Sequence, residues 1–184
     1  MPKTTTTPLV VNLDGTLITR DSLLLLIGEL ARRAPHRLPS TATMARRSRA
    51  AARHHPWETV GLDAARLHFS PRLVAYLEVE AERGRTHILA TGSTQALADA
   101  VAVHLGIFSQ AVGSSREHNL TGAREAERLA ADHGLHGFDD AGASAADLVV
   151  RRHARHGILC NALRRVARPA DQATTVVARF EDRR

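Results

Sequence analysis

The sequence predicts an α/β fold in which a Rossmann-like parallel sheet carries helices on both faces. Three observations lead to this prediction. From residue 70 onward, segments with helical periodicity alternate with short apolar segments typical of strands, and that order favours a parallel sheet. The chain has 184 residues, which suits one such domain with a modest insertion. Its hydrophobic fraction of 43% is ordinary for a protein that buries a single core.

The first predicted strand is the short apolar run Pro8–Leu13, which ends at the turn Asp14-Gly15-Thr16. An apolar run stopped by a turn is typical of a buried strand. Asp21 next provides a helix N-cap, and the leucine-rich helix that follows ends before Pro35.

Further helical segments complete an insertion after the first strand. They are predicted over roughly residues 40–55 and from Trp57 to about residue 68. We expect the insertion, residues 19–68, to form a small helical cap. The core domain then consists of residues 1–18 and 69–184.

The rest of the chain alternates between helices and strands. Ser70 and Pro71 supply an N-cap and a first-turn proline for the next helix, and later helices end at glycines. The predicted helices cover residues 73–83, 95–105, 122–133 and 144–156. The predicted strands cover residues 86–90, 111–113, 138–142 and 158–161, with an edge strand at 174–180.

Composition excludes several classes of protein. The longest apolar run, Leu23 to Gly28, is far shorter than the roughly 18 residues that a membrane-spanning helix needs. The single cysteine, Cys160, allows no disulfide within the chain and suits a reducing compartment. The segment Met1–Pro8 lacks the apolar stretch of a signal peptide. We therefore expect a cytoplasmic protein.

Arginine makes the chain basic, with a formal net charge of +6. Lys3 is the only lysine, so we interpret the charge as a compositional bias and expect no nucleic-acid partner. Part of the charge is concentrated in the predicted cap, where no acidic residue accompanies the arginines between 32 and 53. These arginines form either an ordinary solvated face or a surface for an anionic partner. They lie at positions 32, 33, 37, 46, 47, 49 and 53.

Polar clusters follow three of the predicted strands, at residues 12–16, 91–93 and 142–147. In a parallel sheet with helices on both faces, ligands bind beyond the carboxyl ends of the strands. We therefore expect the three clusters to converge on one crevice.

With these clusters the chain resembles the haloacid dehalogenase superfamily over almost its whole length. The motifs that carry the resemblance are Asn12-Leu13-Asp14-Gly15-Thr16, Thr91-Gly92-Ser93, and Gly142-Ala143-Ser144 followed by Asp147. Within the superfamily it is most similar to the phosphatase-like domains that precede membrane prenyltransferases of the ubiquinone-biosynthesis type. It looks like a free-standing version of such a domain. The resemblance implies hydrolysis through an aspartyl-phosphate, with Mg²⁺ neutralising the phosphoryl oxygens.

Residues that this chemistry requires are replaced in the sequence. Asn12 stands at the position of the nucleophile, and a neutral amide is a poor nucleophile, whereas Asp14 is kept at the position of the general acid. Ala143 stands where the family places a metal-binding acid or amide, and Asp147 is kept. With one charge and one ligand fewer, Mg²⁺ should bind poorly, so we expect no cofactor. If Mg²⁺ binds, Asp14 and Asp147 would hold it, with Asp139 or Asp140 as a substitute ligand.

The resemblance also implies where a phosphate would lie. Thr91 offers a hydroxyl, Gly92 and Ser93 offer backbone N–H groups at a helix start, and Arg124 replaces the family's lysine with a forked cation. We expect these residues to bind a phosphate-like anion without a metal ion.

Two functions follow from these residues, and the fold alone does not choose between them. The first is a non-hydrolytic protein that binds a phosphorylated or anionic ligand, or a protein partner, in a biosynthetic pathway. The partner would be a membrane prenyltransferase or an anionic membrane surface. The second is an active phosphomonoesterase that acts on a small phosphorylated metabolite or isoprenoid phosphate, with an unconventional nucleophile or Mg²⁺ site. The missing carboxylate at Asn12 favours the first.

Overall fold

The computed structural model describes residues 7–47, 49–115, 120, 122–162 and 164–182. Within these ranges the strands are Leu9–Asn12 (β1), His87–Thr94 (β2), Gln110–Ser114 (β3), Asp139–Gly142 (β4), His156–Cys160 (β5) and Thr175–Phe180 (β6). The helices are Ser22–Arg33 (α1), Leu38–Arg47 (α2), Arg49–Val60 (α3), Pro71–Glu82 (α4), Gln95–Leu105 (α5), Ala123–His133 (α6), Asp147–Arg151 (α7) and Arg164–Ala173 (α8).

The six strands form one parallel sheet in the order β3-β2-β1-β4-β5-β6. β1 is central, and its first residue, Leu9, pairs with His87 of β2 and with Asp139 of β4. Because neighbouring strands run in the same direction, the carboxyl ends of β1, β2 and β4 lie at one edge of the sheet. The α/β fold with a Rossmann-like parallel sheet is therefore confirmed.

The side chains of β1 alternate between two apolar layers, as the period of a strand requires. Leu9 and Val11 are buried in the layer that contains Leu73 of α4 and Leu97 of α5. Val10 faces the opposite layer, with residues of α6 and with Phe138. Each leucine buried in this way contributes about 1.5–3 kcal/mol. Burial of both faces of the sheet explains why β1 consists of consecutive apolar residues.

The segment between β1 and α4 begins and ends at adjacent points of the core. The backbone N–H of Thr19 donates to the carbonyl oxygen of His68 at 3.1 Å, and the N–H of Ser70 donates to that of Leu17 at 2.9 Å. Between these points α1, α2 and α3 contact one another, and Trp57 of α3 packs against the main core. An insertion over residues 19–68 is compatible with this geometry, and its action as a cap stays a prediction.

Two differences from the predicted elements lie near the C-terminus. The helix predicted over 144–156 is shorter, because the N–H of Arg155 donates to the carbonyl oxygen of Phe138 and the chain turns there to enter β5. The sequence pattern predicts no element where α8 forms. Val166 and Ala170 are buried apolar residues of this helix, and two such positions are too few to indicate a helical period. None of the helices in the described ranges is long and apolar enough to span a membrane.

Candidate functional site

A crevice of about 350 Å³ opens at the carboxyl ends of β1, β2 and β4. Its volume is in the range of small-molecule sites. Residues from all three predicted polar clusters line it, so the clusters converge as expected. They include Asn12, Asp14, Gly92, Ser144 and Asp147.

Asn12 is the last residue of β1, and its side-chain amide nitrogen forms a hydrogen bond with the first residue of α7. Asn12 Nδ2 donates a hydrogen bond to Oδ1 of Asp147 at 3.1 Å. It also donates, at 3.4 Å, to the backbone carbonyl oxygen of Asp14. The position that the resemblance assigns to the nucleophile therefore carries a hydrogen-bond donor that faces a carboxylate.

Asp147 is buried, with 5% of its surface exposed, and lies at the beginning of α7. Its second oxygen, Oδ2, accepts hydrogen bonds from the backbone N–H groups of Ala143 and Ser144, at 2.8 Å each. Gly142 permits this approach, because a Cβ atom there would lie 2.7 Å from Oδ2 of Asp147. Together with Asn12, three donors hold the Asp147 carboxylate in place.

Asp14 connects the turn after β1 to the first helix. Its Oδ1 accepts a hydrogen bond from the backbone N–H of Ser22 at 2.8 Å. The turn itself depends on Gly15, whose φ of +72° lies in the left-handed region that favours glycine. This turn keeps Asp14 in the lining of the crevice.

The predicted anion-binding residues at the end of β2 mainly bind one another and neighbouring elements. Thr91 is fully buried, and its Oγ1 accepts a hydrogen bond from the backbone N–H of Ser93 at 3.0 Å. The hydroxyl of Ser22 donates to Oγ of Ser93 at 3.1 Å. Helix α5 begins after these residues and is capped by Thr94. Of these three residues, Gly92 belongs to the described lining of the crevice, and a binding role for all three stays a prediction.

Neighbouring residues at the beginning of α6 differ in their orientation. Arg124 is exposed, and the described lining of the crevice does not include it. Glu125, the next residue, lines the crevice and has only 8% of its surface exposed. The role predicted for Arg124 as a phosphate-binding cation remains a prediction, whereas a carboxyl group occupies this side of the crevice.

The Glu125 carboxyl group lies in an unfavourable place for a negative charge. Burial raises its pKa to about 8, and the negative charges of Asp147 and Asp140 add to the effect. Sequence reasoning missed Glu125, because an acid in the first turn of a helix is ordinarily an exposed partner of the helix dipole. No local pattern distinguishes it from Glu127, which is exposed.

Beneath the crevice, Asp140 of β4 forms a buried ion pair with Arg151 of α7. Arg151 Nη2 lies 3.0 Å from Oδ2 of Asp140, and neither side chain has more than 3% of its surface exposed. The same nitrogen donates to the carbonyl oxygens of Gly142 and Ile158, at 3.3 and 3.2 Å. Burial raises the pKa of Asp140 to about 7, although the Arg151 charge opposes this shift. The sequence contains no signal that sets Arg151 apart from the other arginines.

The expectation that Asp139 or Asp140 could replace a missing metal ligand is wrong. Asp139 pairs with Leu9 at the beginning of β1, at the edge of the sheet opposite to the crevice, where it contacts Arg85 and Arg155. Asp140 is bound to Arg151. Both side chains are therefore used in ion pairs outside the crevice lining.

The residues of the crevice do not fit a magnesium ion. Both oxygens of Asp147 already accept hydrogen bonds, from the Asn12 amide nitrogen and from the backbone N–H groups of Ala143 and Ser144. Ala143 contributes no side-chain ligand. Among the residues that the structure describes, no group of three or more His, Cys, Asp or Glu residues is arranged to hold a metal ion.

The predicted basic surface of the insertion is described only in part. Arg32 and Arg33 both form ion pairs with Glu29, and Arg37 is exposed. The side chains of the arginines at 46, 47, 49 and 53 lie outside the described residues. An anionic membrane surface or a membrane prenyltransferase as partner stays a prediction.

Comparison with known sequences shows similarity to part of a longer protein. No family model matches the chain. Among curated proteins, an uncharacterized protein from Sinorhizobium fredii is 31% identical over 152 residues. The match covers 83% of this chain but 29% of that relative, so the chain spans less than a third of the relative's length.

Solved structures similar to this chain include enzymes of the haloacid dehalogenase type. A HAD family hydrolase from Salmonella enterica serovar Typhi has a TM-score of 0.63 at 16% identity, covering 88% of this chain and 65% of that one. A phosphoserine phosphatase in the form of a phospho-aspartyl intermediate analogue has a TM-score of 0.62 at 13% identity, covering 96% and 94%. A Bordetella pertussis protein of unknown function has a TM-score of 0.67 at 16% identity, covering 95% and 99%. The chain therefore has the fold of HAD-type hydrolases, and at these identities the likeness concerns the fold alone.

Proposed function

We propose that this chain is a non-hydrolytic protein that uses the crevice of a HAD-type fold for binding. The observation that carries the proposal is the hydrogen bond from Asn12 Nδ2 to the carboxylate of Asp147. In the chemistry that the resemblance implies, a carboxylate at position 12 attacks phosphorus. Here the group at this position is an amide that serves as a hydrogen-bond donor.

The Asn12 amide also supports a stable crevice without a metal ion. Two carboxylates at positions 12 and 147 would repel each other unless a cation lay between them. An amide donor instead attracts the carboxylate, and a hydrogen bond to a charged group contributes about 1.5–3 kcal/mol. The backbone N–H groups of Ala143 and Ser144 add to this attraction. The Asp147 carboxylate is therefore held without a metal ion, which suits a binding site better than a site for phosphoryl transfer.

The resemblance implies an anionic ligand, but the residues of the crevice support such a ligand less well than they support a non-hydrolytic function. The described lining includes the carboxyl groups of Asp14, Glu125 and Asp147, each of which would repel an anion when ionised. The cation predicted to offset them, Arg124, is exposed. The charge of the described lining thus favours a ligand that is not an anion.

The proposal is tested by assaying hydrolysis of p-nitrophenyl phosphate in the presence of Mg²⁺. We expect no turnover above background in the wild type or in Asp14→Asn. The double variant Asn12→Asp/Ala143→Asp should gain more activity than Asn12→Asp alone, because residues that act as a unit are not additive. Mg²⁺-dependent turnover by the wild type that disappears in Asp14→Asn would contradict the proposal and support an active phosphomonoesterase.

A further inference from the structure

We propose that the crevice binds a small organic cation carrying a protonated amine, with the Glu125 carboxylate as its main contact. The inference rests on the proposed non-hydrolytic function, since it takes the crevice to be a binding site. It adds the chemical class of the ligand, which is opposite in charge to a phosphorylated substrate.

The first observation is the charge of the crevice. Among the described residues that line it, none is arginine, lysine or histidine, whereas four carry carboxyl groups. These four are Asp14, Asp21, Glu125 and Asp147. Charges gathered in a concave site concentrate the field and select ligands of the opposite sign.

The second observation is that Glu125 differs from the other three acids in its contacts. Asp147 accepts hydrogen bonds from three donors, Asp14 accepts one from the N–H of Ser22, and Asp21 caps α1. Glu125 has no hydrogen bond or ion pair within the part of the chain that the structure describes, although it is more than nine-tenths buried. A buried carboxyl group without a partner costs free energy that a donor would recover.

A protonated amine supplies what Glu125 lacks. It donates up to three hydrogen bonds and brings a positive charge, which stabilises the ionised carboxylate against the charges of Asp147 and Asp140. A neutral alcohol provides a hydrogen bond without the charge. A phosphate would add negative charge to a crevice that already contains several acids.

The size and spread of the acids favour an organic cation over a metal ion. Within the described residues no three acidic or other metal-binding side chains converge on one point, so a metal ion would be poorly coordinated. The crevice has about 350 Å³, which is room for a molecule of several heavy atoms. An extended amine can reach Glu125 while its remaining atoms occupy the rest of this volume.

The test measures thermal unfolding of the whole chain in EDTA at about pH 8.5, where Glu125 is mostly ionised and a primary amine is still protonated. The probes are 1,4-diaminobutane, the neutral 1,4-butanediol, inorganic phosphate and, without EDTA, MgCl₂, all at matched ionic strength. We expect only the diamine to raise Tm, by roughly 5–10 °C at about a hundred times its Kd. Glu125→Gln should lose the rise, and Glu127→Gln, an exposed acid on the same helix, should keep it.

The outcomes separate this inference from the proposed function. If the diamine has no more effect than butanediol, if its effect survives in Glu125→Gln, or if phosphate or MgCl₂ alone raises Tm, the amine inference is overturned. The wild-type comparison of diamine with butanediol decides the matter even if the variant folds poorly. Mg²⁺-dependent hydrolysis of p-nitrophenyl phosphate, measured on the same preparation, would instead overturn the proposed function.

Discussion

Replacing Glu125 with glutamine should prevent part of the loss of stability that the protein undergoes as pH rises. Glutamine has nearly the same shape as a protonated glutamate, so it fits the same buried position without ionising. Burial raises the pKa of Glu125 from 4.5 to about 8 in the folded protein, and the charges of Asp147 and Asp140 contribute. In the unfolded chain the pKa returns to the ordinary value.

An acid with a higher pKa in the folded state binds more protons when folded than when unfolded, in the range between the two values. The free energy of unfolding therefore falls as pH rises through that range, by about 1.4 kcal/mol per pH unit for one group. For Glu125 the range extends from about pH 4.5 to about pH 8. The full loss is on the order of 5 kcal/mol, a large share of the stability of a typical domain.

Urea unfolding at intervals from about pH 5 to about pH 9 measures this effect. We expect Glu125→Gln to match the wild type near pH 5 and to exceed it by several kcal/mol near pH 9. Asp140, whose pKa is raised to about 7, is present in both proteins and adds a slope of the same sign to each. Glu127→Gln, a change at an exposed site, should follow the wild type throughout. Parallel pH profiles for the wild type and Glu125→Gln would refute the reasoning.

Three further substitutions test contacts in and beneath the crevice, each by urea unfolding in EDTA. Asn12→Asp should lower the free energy of unfolding by about 2 kcal/mol, because a donor to Asp147 becomes a like charge; unchanged stability would contradict the Asn12–Asp147 bond. Arg151→Met should lower the free energy of unfolding by about 3–5 kcal/mol, because Asp140 stays buried without its cation. Adding Asp140→Asn should recover part of this loss, and additive losses would contradict the ion pair. Gly142→Ala should cost about 1–3 kcal/mol, because its Cβ would lie 2.7 Å from Asp147, and a neutral result would be inconsistent with that close approach.

Much of the fold follows from local patterns in the sequence. The apolar run that becomes β1, the cap at Asp21 and the Ser70-Pro71 helix start all depend on residues within a few positions of one another. Helix α5 has the same bounds in the prediction and in the structure, because Gly106 ends it in the left-handed conformation. The convergence of the polar clusters followed from parallel strand order alone.

The partners of the site residues could not be predicted in this way. The sequence places Asn12 and Asp147 at strand ends, but 135 positions separate them, and their hydrogen bond depends on β1 and β4 being neighbours. Likewise, Asp139 and Asp140 are adjacent in the sequence, and only the tertiary structure shows that they form ion pairs with different arginines outside the described crevice lining.

By itself the sequence determined the class of fold and most of its elements, since these depend on residue type and short-range periodicity. That Asn12 stands in place of a nucleophile is what the resemblance implies, and it stays a prediction. The tertiary structure decided which charges meet. Arg124 and Glu125 are neighbours on α6, and successive residues of a helix point about 100° apart, so the packing of α6 against the sheet determines which one enters the crevice. That packing buries Glu125 and exposes Arg124, which makes the described lining of the crevice acidic. The sequence alone could not show this, because burial depends on contacts between distant segments.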